Sequence, residues 1–245
     1  MKEIEQALLD REVDLAVHSM KDLPGEMPDG LIIAAVPPRE DTRDVLVGPL
    51  NQPVTLAALP TGARLGTSSL RRKAQILALR PDLTVLDMRG NVDTRLRKLD
   101  DGQYDAVVLA AAGLHRLGLA ARIHEYLPSP AVLPAAGQGA LAIQTRTDDT
   151  KLITALAPLN DDDTMRATRA ERTVLAELGG GCSIPLGVLA TVDGSRLILR
   201  AALCNPTSDE IMREELAGDG TPEGLGREVA ARLRSRAAHF LPNLL

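Results

Sequence analysis

The chain has 245 residues, ample for a sizeable core and long for one domain, so two or three domains are expected. Its 28 basic residues against 33 acidic ones leave a formal charge of −5, the wrong sign for a general nucleic-acid binder. Tyr104, Tyr126 and Phe240 are its only aromatic residues, so bases find almost nothing to stack on and the core must be aliphatic.

Ile4, Ala7 and Leu8 recur at helical spacing and predict a helix over the first twelve residues. Val13–Val17 reads as a buried strand and Leu31–Val36 as a second, with the polar loop His18–Gly25 between them. Pro37-Pro38 opens a crossover. Val45–Val47 is a short strand, and Ala63–Gly66 leads into a helix over Ser69–Leu79 that Pro81 stops. Leu83–Leu86 reads as a strand, Val92–Leu99 as a helix, and Tyr104–Leu109 as a strand followed by a short helix near Leu114. This alternation predicts a mostly parallel sheet.

Leu133–Gly139 reads as a second crossover, followed by a strand at Leu141–Gln144 and a helix at Lys151–Leu156. Asn160–Thr164 supplies capping residues for a helix over Met165–Leu178, which Gly179-Gly180-Gly181 ends. Leu186–Val192 and Leu197–Leu203 flank Asp193-Gly194, a strong hairpin signal. Glu210–Leu216 can add a third strand, and Leu225–Leu241 is an amphipathic helix. Strands first and a helix last predict an α+β module.

Arg outnumbers Lys by 23 to 5. Codon bias accounts for the total, so only local clusters carry a functional reading. Gly66-Thr67-Ser68-Ser69-Leu70-Arg71-Arg72 joins a strand to a helix. Its free N–H groups, hydroxyls and two Arg suit an anion, though an ordinary Ser-capped helix with a solvated basic turn reads equally well. Arg71, Arg72, Arg89 and Arg116 all follow strands, where ligands of parallel sheets bind, and Arg95 lies close by. Four such Arg suit a ligand with several carboxylates or phosphates. Asp22, beside Lys21 in a loop after a strand, is either a general acid or base, a stabiliser of a cation, or one half of a solvated pair. Three glycines before Cys182 let the backbone bend and expose its thiol, whereas Cys204 at a strand end suits the core. Gly137-Gln138-Gly139-Ala140-Leu141-Ala142 is only a weak dinucleotide-binding pattern, because a strand follows it where a helix should. His18, His115, His124 and His239 show no metal-ligand spacing, and no metal is expected.

Two cysteines are too few for a disulfide framework, and no apolar run approaches the ~20 residues of a membrane span. The opening residues do not read as a signal peptide. A reducing, cytoplasmic location without membrane attachment is the expectation.

Six motifs then assemble in order. They are Val17-His18-Ser19-Met20-Lys21-Asp22-Leu23-Pro24, the Gly66–Arg72 segment, Arg89-Gly90-Asn91-Val92-Asp93-Thr94-Arg95, Ala112-Gly113-Leu114-His115-Arg116-Leu117-Gly118, Pro134–Ala140 and Gly179-Gly180-Gly181-Cys182-Ser183-Ile184-Pro185-Leu186-Gly187. Together they resemble the porphobilinogen deaminase (hydroxymethylbilane synthase) family of tetrapyrrole biosynthesis, over essentially the whole chain.

The resemblance implies a transferase that deaminates four porphobilinogen molecules and condenses them into hydroxymethylbilane. It implies a dipyrromethane cofactor held by a thioether, on the cysteine that Cys182 matches. Asp22 matches the catalytic aspartate, which would stabilise the cationic azafulvene formed as ammonia leaves. Lys21, Ser19, Thr67, Ser68, Ser69, Arg71, Arg72, Arg89 and Gln138 match cofactor-binding residues, and Arg95 and Arg116 match substrate-binding ones. The implied fold is α/β, with two domains like those of periplasmic binding proteins and a C-terminal α+β domain. Residues 1–38 with 134–158 would form the first, 39–133 the second and 159–245 the third, which carries the cysteine.

A monomer with porphobilinogen as its small-molecule partner follows. The family has further sequence before the segment matching Lys2-Glu3, so the first domain is expected to be N-terminally incomplete. The alternatives are a truncated, inactive fragment and a non-catalytic binder of a polycarboxylate.

Overall fold

The structure, a computed structural model, describes residues 2–179, 184–205 and 208–240. Helix α1 (Lys2–Leu9) leads to β1 (Leu15–Ser19), a 3-10 turn (Met20–Asp22) and β2 (Leu31–Ala35). After a crossover come β3 (Asp44–Val47), β4 (Arg64–Gly66), α2 (Leu70–Leu79), β5 (Thr84–Leu86), α3 (Val92–Asp100), β6 (Ala106–Ala110), α4 (Ala111–Arg116) and β7 (Glu125–Tyr126). The chain returns as β8 (Leu141–Arg146) and α5 (Thr150–Leu156). It ends with α6 (Asp162–Glu177), β9 (Leu186–Asp193), β10 (Arg196–Cys204), β11 (Ile211–Gly218) and α7 (Pro222–Arg236).

These elements build three sheets, ordered β1-β8-β2, β5-β4-β6-β3-β7 and β11-β10-β9. The class is the expected one: α/β, with a separate C-terminal unit of sheet plus helices. The parallel character is narrower than alternation predicts. Among the described residues only β4–β5 and β4–β6 pair in parallel, the strands that α2 and α3 connect. β3 pairs antiparallel with β6 and β7, and β8 lies antiparallel between β1 and β2. Both exceptions sit where the chain crosses between lobes. A crossing strand takes its direction from where it enters, not from a preceding helix.

The middle sheet is covered on both faces, which is why its strands read as unbroken apolar runs. Leu46, Leu65 and Val108 pack with Ile76 of α2 on one face, and Val45, Val47 and Val107 with Leu99 and Leu114 on the other. The first sheet differs. β1 is an edge strand that buries Ala16 and His18 on one face, while Val17 is 57% exposed on the other. The expected fully buried strand is therefore half-buried.

In the C-terminal unit, Ala170, Val174 and Leu178 pack with Val229 and Leu233 of α7 over Val188 and Leu199. Gly194, at φ +60, turns β9 into β10. α7 ends at Arg236, short of the expected Leu241, which lies outside the described residues.

Two crossovers link the lobes, residues 36–43 and 133–140, and they touch. Glu40 N donates to Gly139 O at 3.2 Å. Gly139 has φ +88, and a Cβ there would stand 2.4 Å from Glu40 O, so a side chain has neither the conformation nor the room.

Candidate ligand-binding site

Asp22 ends the 3-10 turn that follows β1. Thr67, Ser68 and Ser69 lie between β4 and α2, and Ser69 caps α2 by accepting from Arg72 N. Arg95 comes from α3, Gln138 from the second crossover, and Leu175 and Ile184 from the C-terminal unit. All of them line one cavity of about 350 Å³, together with Lys21, Arg71 and Arg72. Four cations thus share a wall with Asp22, the only carboxylate among the described lining residues.

Arg71 and Arg72 do not stand free. Both grip Asp44, a buried residue opening β3. Arg71 Nη1 lies 2.6 Å from Oδ2, and Arg72 Nη2 2.7 Å from Oδ1. Arg71 also donates to Leu133 O and Arg72 to Val108 O. Burial alone would raise the Asp44 pKa, but the two guanidinium groups overcome it and hold the carboxyl below its usual range. Sequence reading missed Asp44, whose place at the start of an apolar strand marked it only as a boundary. A carboxylate opening such a strand beside twin Arg was the available signal.

Gln138 joins this network. Its Nε2 donates to Thr42 O at 2.7 Å and to Asp44 Oδ1 at 2.9 Å, which fixes the amide's orientation. Its Oε1 is buried without a partner. Lys21 has its pKa pushed down to about 8, first by burial and then by Arg72 and Arg71, against the opposing pull of Asp22 and Asp44. Burial and Arg72 likewise lower that of Arg95, whose Nε donates to Gly90 O at 2.8 Å.

Ser19 and Arg116 face a smaller adjoining cleft of about 50 Å³ that Lys21 also lines. Arg116 Nη2 donates to Gly139 O at 2.7 Å, which ties α4 to the second crossover. Arg89 is exposed on the loop before α3 and is not among the described lining residues. Cys182 lies outside the described residues. Ile184, two residues further along the sequence, lines the larger cavity. Among the described residues no three His, Cys, Asp or Glu side chains gather as a metal site. No helix among them is long and apolar enough to cross a membrane.

This is a multi-lobed α/β chain with a cation-lined cleft. Residues 1–154 match the family model "porphobilinogen deaminase, dipyromethane cofactor binding domain", and residues 165–235 match "porphobilinogen deaminase, C-terminal domain". The chain belongs to the porphobilinogen deaminase family. It is 49% identical to the porphobilinogen deaminase of Roseiflexus sp. (strain RS-1), over 98% of this chain and 78% of that protein. It is 50% identical to that of Desulforudis audaxviator (strain MP104C), over 97% of this chain and 76% of that protein. Among solved structures, it is similar to a periplasmic binding protein of Salmonella typhimurium with high arginine specificity. That likeness has 17% identity and a TM-score of 0.40, over 69% of this chain and 74% of the other.

Proposed function

We propose that the chain is a hydroxymethylbilane synthase, which deaminates four porphobilinogen molecules and joins them head-to-tail on a dipyrromethane attached to Cys182. The observation that carries this reading is the one cavity that Lys21, Arg71, Arg72 and Arg95 line together with Asp22. Porphobilinogen carries two carboxylates and an aminomethyl group, so a growing chain needs many cations and one well-placed anion.

The residues present suit the cofactor. Gln138 Oε1 is a buried acceptor lacking a donor, which a pyrrole N–H supplies, and the cations with Thr67, Ser68 and Ser69 offer donors to its carboxylates. When bound, the group supplies the free pyrrole position to which the first substrate is added.

Asp22 accepts pyrrole N–H groups and offsets the positive charge that develops on the substrate as ammonia departs. Arg71 and Arg72 hold acidic side chains with forks that Asp44 has already oriented, so little ordering remains to be done on binding. Ser19 and Lys21 belong to the same cofactor-binding set. Arg95 and Arg116 receive incoming substrate, and Arg89, on the loop before α3, belongs to the cofactor-binding set.

The three units we assign, residues 1–38 with 134–158, 39–133 and 159–245, each hold one of the three sheets. We assign a monomer, with porphobilinogen as its small-molecule partner. We assign a reducing compartment such as the cytoplasm, since the anchoring thiol must stay reduced until the thioether forms. Incubation with porphobilinogen tests the function. Substrate should disappear with one ammonia released per condensation and hydroxymethylbilane as product. Porphobilinogen left intact by folded, cofactor-bearing chain would contradict it.

A further inference from the structure

A second cavity, of about 400 Å³, lies on the other side of the 3-10 turn, between β2 and α6. Its walls are largely apolar, with Met20, Met27, Ile33 and Met165 prominent. Arg172 of α6 lines it and is only 8% exposed. Its Nη2 donates to Gly25 O at 3.0 Å, and its Nη1 is buried with no partner. Among the described residues no carboxylate forms an ion pair with it. Glu223 is the one acid among the described residues lining the cavity. Burial accordingly lowers the Arg172 pKa with no offsetting charge.

A desolvated guanidinium with one carbonyl partner is costly, and an anion brought beside it offsets that cost. An apolar chamber rich in methionine adapts to an aliphatic body. We propose that this cavity binds a small aliphatic monocarboxylate, its head paired with Arg172 and its tail among the methionines. The site is separate from the cation-lined cavity but shares two walls with it. Met20 faces this chamber while Lys21 and Asp22 face the other, and α6 presents Arg172 here and Leu175 there.

Octanoate is the probe, with octylamine as a tail of opposite charge, both titrated calorimetrically into the 245-residue chain. Octanoate should bind saturably at one per chain, and octylamine should not. Arg172→Met should weaken octanoate by about tenfold or more, the usual effect of losing a charge-assisted pair. Met165→Trp, which fills the chamber and leaves the guanidinium in place, should abolish binding, while Arg95→Met in the other cavity should leave it unchanged. If Arg172→Met does not fold, the Met165→Trp, Arg95→Met and octylamine arms decide. No saturable binding, equal binding of octylamine, or loss with Arg95→Met but not with Met165→Trp would overturn the proposal.

Discussion

Arg39 and Glu171 face each other in a bidentate pair, with Nη1 2.7 Å from Oε1 and Nη2 2.9 Å from Oε2. Arg39 lies on the first crossover and Glu171 on α6, and the carboxylate is fully buried. Glu171 also accepts from Gly137 N on the second crossover and from Ala190 N of β9. One side chain therefore pins both crossovers to the C-terminal unit. Arg39 Nε adds a bond to the backbone carbonyl of Gln138, the residue whose side chain lines the cavity.

Glu171→Gln removes the charge that compensates a nearly buried Arg39, and sets an amide N–H₂ against backbone N–H donors. The expected loss of stability is about 3–5 kcal/mol, as for other broken buried pairs. Denaturant unfolding of the purified variant measures it. A change under about 1 kcal/mol would mean the pair does not hold the crossovers.

Asp44→Asn leaves Arg71 and Arg72 buried with one neutral acceptor between them. Stability should again fall by about 3–5 kcal/mol. The variant should also retain less cofactor than the parent at equal folded fraction, because the forks lose their orientation. Equal cofactor content in folded Asp44→Asn chain would assign Asp44 a purely structural role.

Asp22 is exposed on the cavity wall, so Asp22→Asn should leave stability within about 0.5 kcal/mol. Turnover should fall by about 10²–10³, the usual loss when a preorganised charge stabiliser is removed. Steady-state rates beside a thermal melt separate the two effects, and a normal rate in a folded variant would remove Asp22 from the chemistry.

Lys21 links the site to pH. Its folded pKa, about 8, lies below the ordinary 10.5, so the unfolded chain binds more protons between those values. Stability from this group therefore rises with pH across that window, and the full penalty, about 3 kcal/mol at most, applies below it. Lys21→Met should be more stable than the parent at pH 7, with the gap closing toward pH 10.5. Bound carboxylates raise the Lys21 pKa, so polycarboxylate affinity should decline above about pH 8 in the parent but not in Lys21→Arg. Paired urea titrations across this range decide the first point, and a gap that does not vary with pH would refute it.

How much could be read from sequence follows the range of the interactions. The run from β4 through α2, β5 and α3 to β6 was legible, because periodicity and capping residues such as Ser69 and Asn91 are local signals. The direction of β8 was not, since its partners β1 and β2 lie more than 100 positions away. Lys21, Asp22, Thr67, Arg71, Arg72, Arg95 and Gln138 were found through ordered motifs, and the structure brings them to one cavity. Asp44 escaped because its worth depends on two side chains 27 and 28 residues downstream. Glu171 escaped for the same reason, with Arg39 132 residues away.

The central claim is that Cys182 carries a dipyrromethane primer at this site. Intact-protein mass spectrometry followed by peptide mapping tests it most directly. The account predicts an adduct of two pyrrole units on the peptide containing Cys182, absent from Cys182→Ala. An adduct on buried Cys204, whose thiol pKa burial pushes up to about 11, or one that survives Cys182→Ala, would contradict it.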